Sequence, residues 1–200
     1  MHTKPILGGV AALTAAAVLF AAPRTADAAR TPDAMTFALD TVHSAIHFEL
    51  THLGVSHAWG RFNEMAGEFT FDSEDPTKSK VSIQVMADSV DTNNEKRDQH
   101  LRSADFFSAK QFPEIAFESK AVRSTGDKTM TMTGDLTFLG VTKEVEADVV
   151  MVGMQETSQG FKAGFNATMT IDRSEFGNDT YLESLGKDVT LRIALEGARR

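Results

Sequence analysis

The chain has no cysteine among its 200 residues. Disulfides, thiolate metal sites, thiol nucleophiles and a lipid-bearing N-terminal cysteine are thereby excluded. It has one tryptophan and one tyrosine. An outer-membrane barrel carries girdles of both at its two interfaces, so their scarcity argues against that class. Positive charge is also short. Lys and Arg number 20 against 28 Asp and Glu, giving a net charge of −8, and no basic run offsets this locally, so no nucleic-acid partner is expected. No G-x-S-x-G and no phosphate-binding glycine loop is present, and no catalytic residue is assigned. What the chain has in quantity is phenylalanine, 14 residues of it, which points to dry apolar volume.

The N-terminus reads as an address. Ile6 to Ala22 is apolar and rich in alanine, Pro23 and Arg24 break the run, and Ala26-Asp27-Ala28 supplies the small residues of a cleavage site. We assign residues 1–28 as a secretory signal peptide and 29–35 as a short linker. A membrane anchor is the alternative for the same run. No later stretch approaches ~18 apolar residues. An exported chain without cysteine fits a periplasmic destination.

Beyond the leader, apolar and polar residues alternate in segment after segment. Ile46, Phe48 and Leu50 alternate with His47 and Glu49; Val81, Ile83 and Val85 with Ser82 and Gln84; Phe165, Ala167 and Met169 with Asn166 and Thr168. A period of two predicts strands with one dry face, which antiparallel pairing permits. Thr92 as N-cap with Glu95 at N3 resembles a capping box, so a helix is expected to start after Thr92 and to continue over Lys96–Ser103. About eight strands would close into an extended antiparallel barrel, with a two-sheet sandwich as the alternative. The inward set is expected to include Phe37, Phe48, Phe69, Phe71, Phe117, Met132, Phe138, Phe165 and Met169, joined by Met130 and Met151. Small residues at Gly134, Ala147, Ala163 and Ala167 lie among them. A barrel of this size is either filled by its side chains or holds one small ligand, and alternation does not distinguish the two.

Several motifs, taken in order, resemble the YceI family of exported, lipocalin-like polyisoprenoid-binding proteins. They are Asp40-Thr41-Val42-His43-Ser44, Thr51-His52-Leu53-Gly54, the run Arg97-Asp98-Gln99-His100-Leu101-Arg102-Ser103-Ala104-Asp105-Phe106-Phe107, Phe112-Pro113-Glu114, and Arg173-Ser174-Glu175-Phe176-Gly177. Leu139 stands in Leu139-Gly140 where a polar turn residue is more usual. The likeness covers residues 36–197. It implies a lipocalin-like barrel with one short helix in a long crossing segment. It further implies an apolar lumen for an isoprenoid chain, as in a quinone or a prenyl phosphate, with transient membrane contact and no other cofactor.

Arg97, Asp98, His100 and Arg102 then read in two ways. Their cations could meet a ligand head group at the barrel mouth, or the cluster could lock the crossing segment in place. Two functions compete with a lipid carrier. One is an enzyme at the mouth with Asp98 and His100 as acid–base pair. The other is a filled barrel that acts through protein partners. His43, His47, His52 and His57 lack the spacing and carboxylate of a metal site, and no metal is expected.

Overall fold

The computed structural model describes residues 1–2 and 34–200. The leader from residue 3 onward, and linker residues 29–33, lie outside the described residues. The alternating segments form eleven strands: β1 (Met35–Leu39), β2 (Ala45–His52), β3 (Ser56–Phe62), β4 (Met65–Phe71), β5 (Lys80–Met86), β6 (Val90–Asp91), β7 (Glu114–Ser124), β8 (Thr129–Phe138), β9 (Val141–Thr157), β10 (Gly160–Asp172) and β11 (Asp188–Arg199). All pairings are antiparallel, and β1 closes the sheet on β11.

The eleven segments trace eight long strands. β11 faces β1 along Gly197–Arg199 and β2 along Val189–Ala194, so β1 and β2 are one strand interrupted. β4 lies on β1 while β3 lies on β2, and β5 and β6 continue one another in the same way. The result is a closed eight-stranded meander. Closure through β1 and β11 removes the edges that an open sheet would expose there, while the branch β2–β3–β6 ends without a further partner among the described residues.

The first interruption is built by polar side chains. Asp40 Oδ1 accepts from the backbone N–H groups of Val42 (3.1 Å) and His43 (3.3 Å). Ser44 Oγ takes over the ladder, donating to the Glu196 carbonyl at 3.3 Å and accepting from the Glu196 N–H at 3.0 Å. Lys162 Nζ then bridges Asp40 Oδ2 (3.1 Å) and Glu196 Oε1 (2.7 Å). The hydrogen bond with His43, and after it the Lys162 ammonium, hold the Asp40 carboxyl down at about 2. A carboxylate depressed in the folded state adds stability above its unfolded value, and that stability is lost as pH falls through the folded one. We therefore expect acid to destabilise the barrel between about pH 4 and pH 2. Asp40→Asn should remove part of that acid-dependent loss, read as the difference in urea midpoint across the same range.

The meander gathers its connections at two ends. One end carries residues 53–55, the crossing segment 92–113, the turn 139–140 and the loop 173–187. Leu53 N–H donates to the Ser184 carbonyl at 2.6 Å, and Asn178 Nδ2 donates to the Phe106 carbonyl at 3.1 Å, tying these connections together. The helix α1 spans Glu95–Leu101, shorter at both ends than expected. Asn93 turns left-handed at φ 61°, which makes Asn94 the N-cap, accepting from Arg97 N–H. Thr92, expected as the cap, hydrogen-bonds Asp98 instead. A second helix, α2 (Leu182–Leu185), lies in the loop 173–187 and was not expected.

Candidate ligand cavity

The barrel encloses a cavity of about 650 Å³. Phe48, Phe69, Phe71 and Phe117 line it, as do Met132, Phe138, Phe165 and Met169. Ala147 and Ala167 give it width. Phe37, expected with them, is fully buried in the wall. Its ring stacks on Phe69 with centroids 5.0 Å apart, which leaves it no face on the cavity.

A lumen with so many phenylalanines stays open because the rings lie against the wall. Phe48 lies over Gly60, its partner on β3, where a Cβ would collide with the ring. Phe117 covers Gly134 so closely that a Cβ there would meet the ring at 2.5 Å. Phe69 covers Gly197 in the same manner, at 2.6 Å. Each glycine lets an aromatic ring fold sideways instead of pointing at the barrel axis. From Met130 to Phe138, β8 follows the cavity for roughly 27 Å of strand.

The mouth is a seam in the side of the barrel. Ser56, His57, Ala58 and Trp59 all line the cavity. In a strand paired on both sides only alternate residues would face it. β6 pairs with Arg61 and Phe62 alone, so the upper part of β3 has a bare edge. Facing the opening are Arg97, His100 and Leu101 of α1, with Tyr181, Ser184 and Leu185 from the loop that carries α2.

The polar cluster divides. Arg97 and His100 line the cavity; Asp98 and Arg102 do not. Asp98 is buried and accepts from Thr92. Arg102 donates to the carbonyls of Asp88 (2.6 Å) and Val90 (3.0 Å). Both therefore fasten α1 to the end of β6, and Arg97 adds to this by donating to Thr92 Oγ1 (2.7 Å) and to the Thr92 carbonyl (2.6 Å). His100 Nε2 pairs with Asp105 at 3.0 Å, so Asp98 and His100 do not form the acid–base pair of the enzyme alternative.

The sequence reading missed Arg173. The residue is only 4 % exposed yet lines the cavity. It donates to the carbonyls of Gly186 (2.9 Å), Asn178 (3.1 Å) and Thr180 (2.8 Å), and to Asn178 Oδ1 at 2.6 Å. Burial pulls its pKa below the ordinary arginine value, against the opposing pull of Asp179 and Asp172. The Arg-x-x-Phe-Gly motif was the available signal. Among the described residues no Asp or Glu lines the cavity, whereas Lys80, Arg97, Arg173 and three histidines do. Elsewhere, Asp40, His43 and Glu196 approach one another closely enough to suggest an ion site, but the Lys162 ammonium already bridges the two carboxylates.

Comparison with known proteins bears on this arrangement. The family model described as YceI-like domain matches residues 37–197. A UPF0312 protein of Pectobacterium atrosepticum is 41 % identical over 159 residues, covering 79 % of this chain and 82 % of its own. The crystal structure of a Campylobacter jejuni YCEI protein superposes with a TM-score of 0.68 at 32 % identity, covering 76 % of this chain and 90 % of its own. A polyisoprenoid binding domain from Saccharophagus degradans shares the fold at 14 % identity, with a TM-score of 0.65 over 83 % of this chain and 99 % of that one.

Proposed function

The chain belongs to the family of YceI-like domains, and from that premise we propose that it carries or stores an isoprenoid lipid without catalysing a reaction. The observation that carries this reading is the cavity itself: about 650 Å³, walled by phenylalanine, methionine and alanine, with polar side chains gathered at its two ends. Ser79 and the solvent-exposed Lys80 stand where β5 begins, and Arg97, His100, Arg173 and Asn178 stand near the seam. A tail lies along the apolar middle. A head rich in acceptor oxygens, such as a quinone or a prenyl phosphate, meets the cations at the seam. The name of the Saccharophagus degradans neighbour is consistent with such a ligand, and the apolar leader read in the sequence supports a periplasmic location.

The energetics suit a tail. Burial is worth about 0.8 kcal/mol per CH₂, so one five-carbon unit contributes roughly 3–4 kcal/mol before ordering is subtracted. A few units suffice, and no single polar contact is indispensable. The filled-barrel alternative does not describe an interior with this much open space. Protein purified from its native host should release a prenyl lipid into organic solvent, identified by mass spectrometry. Recovery of background phospholipid alone would refute the proposal.

A further inference from the structure

The chain's single tryptophan and single tyrosine both stand at the seam. Trp59 is 48 % and Tyr181 58 % exposed, and both line the cavity. Leu53 and Val55, at the tip of the β2–β3 turn beside them, are 61 % and 82 % exposed. Among the described residues no phenylalanine is exposed. Large apolar side chains are also exposed at Val42 and, on the outer wall of β9, at Val150 and Val152, but the exposed aromatic residues are confined to the opening, and they are the two types that favour a membrane–water interface.

Backbone geometry singles out the same residues. Leu53 and Tyr181 are left-handed, at φ 53° and 55°, a conformation that disfavours both side chains by about 1–2 kcal/mol. Leu139 is also left-handed, at φ 51°, but it packs against the core, which offsets the strain. Tyr181 rests on Phe106 and on the edge of His100, with ring centroids 6.2 and 6.3 Å away, whereas Leu53 belongs to neither core cluster, and an Asn at position 53 would relieve the turn. Strain kept without a gain in the folded chain points to a role outside it.

We propose that this rim docks on a phospholipid bilayer, with Leu53 and Val55 in the acyl boundary and Trp59 and Tyr181 at headgroup depth. The dimensions fit. Val55 and Trp59 are four residues apart, about 13 Å of strand and roughly 10 Å of height at the tilt of a barrel strand. Interfacial elements sink their apolar side to about 5–10 Å. Arg192 lies over the Trp59 ring, 5.9 Å from its centroid, and is paired with Glu49 at 2.9 Å. The seam would then open against the membrane. This inference rests on the carrier reading, because an isoprenoid tail has a bilayer as its source and destination.

Trp59 makes the test site-specific without a label. The apolar run Ile6–Ala22 would by itself hold the full chain on a vesicle, so immersion of Trp59, not binding, is the readout. Vesicles of phosphatidylethanolamine and phosphatidylglycerol should shift its emission to the blue, and bromine-bearing lipids should quench it. Leu53→Asn with Val55→Ser should weaken this response about tenfold, and the Asn relaxes the turn, so folding is preserved. Val150→Ser with Val152→Ser, on the outer wall of β9, should leave it unchanged. Absence of a shift, or an equal shift in the rim and wall variants, would overturn the proposal. So would a shift that appears on raising protein concentration without vesicles, since that would identify a second copy as the occupant. Loading from detergent separates the two readings. Protein that takes up a prenyl lipid from detergent but never immerses Trp59 refutes the docking alone. Protein that immerses Trp59 but takes up no prenyl lipid refutes the carrier.

Discussion

Ala167→Phe is expected to empty the barrel of its ligand while leaving it folded. Ala167 sits mid-strand on β10 between Val149 and Ile193, and its side chain faces the cavity. A phenylalanine there projects into open space, so the strain that usually accompanies overpacking does not arise. It also brings an aromatic side chain's apolar surface into contact with the far wall, which stabilises the empty protein. Lipid recovered per mole of protein should fall about tenfold or more, since lost burial of two or three methylenes already gives that factor. The thermal midpoint of the ligand-free variant should equal or exceed that of the ligand-free parent. Comparison of ligand-free forms matters, because a bound lipid raises the parent's midpoint by mass action. Normal loading would show that the tail does not follow this part of the cavity.

Arg173→Met is expected to have the opposite profile, a large loss of stability. Methionine keeps most of the volume but none of the donors. The carbonyls of Asn178, Thr180 and Gly186 would lose their partner in a buried site. Each buried acceptor left without a partner costs about 1–3 kcal/mol, so the loss from three of them should be measurable as a lower urea midpoint. Arg173→Lys should recover only part of it, because one ammonium does not span acceptors now served by three guanidinium nitrogens. A loss below about 1 kcal/mol would show that the loop 173–187 is held by other contacts.

The strands were legible because one face is dry. Phe48, Phe69, Phe165 and Met169 each lie two residues from another inward side chain, so their direction could be read from alternation. About eight strands were legible, and the structure breaks three of them in two; at the first break Asp40 and Ser44 place polar groups where the ladder would continue. Phe37 shares the alternation of its neighbours but stacks on Phe69, and stacking depends on a cross-strand partner 32 positions away. Gly134 was visible as a small interior residue, yet its role comes from the Phe117 ring above it, again a matter of register. At the mouth, Arg102 and Arg173 carry the same charge; which of them faces the cavity is decided by the carbonyls that each reaches. The helix start was misplaced because Thr92, a good cap, had a buried carboxylate to bond instead.

The bare edge of β3 also bears on how cargo is exchanged. A hole at the top of a barrel admits a long chain only by its tip, one segment after another. A slit running along the flank admits it sideways, so a polyprenyl tail need not be threaded and its length need not govern how fast it enters or leaves. Exchange would then depend on how far α1 and the loop holding Tyr181 part from that edge, a movement of two short connections that leaves the eight staves of the barrel undisturbed.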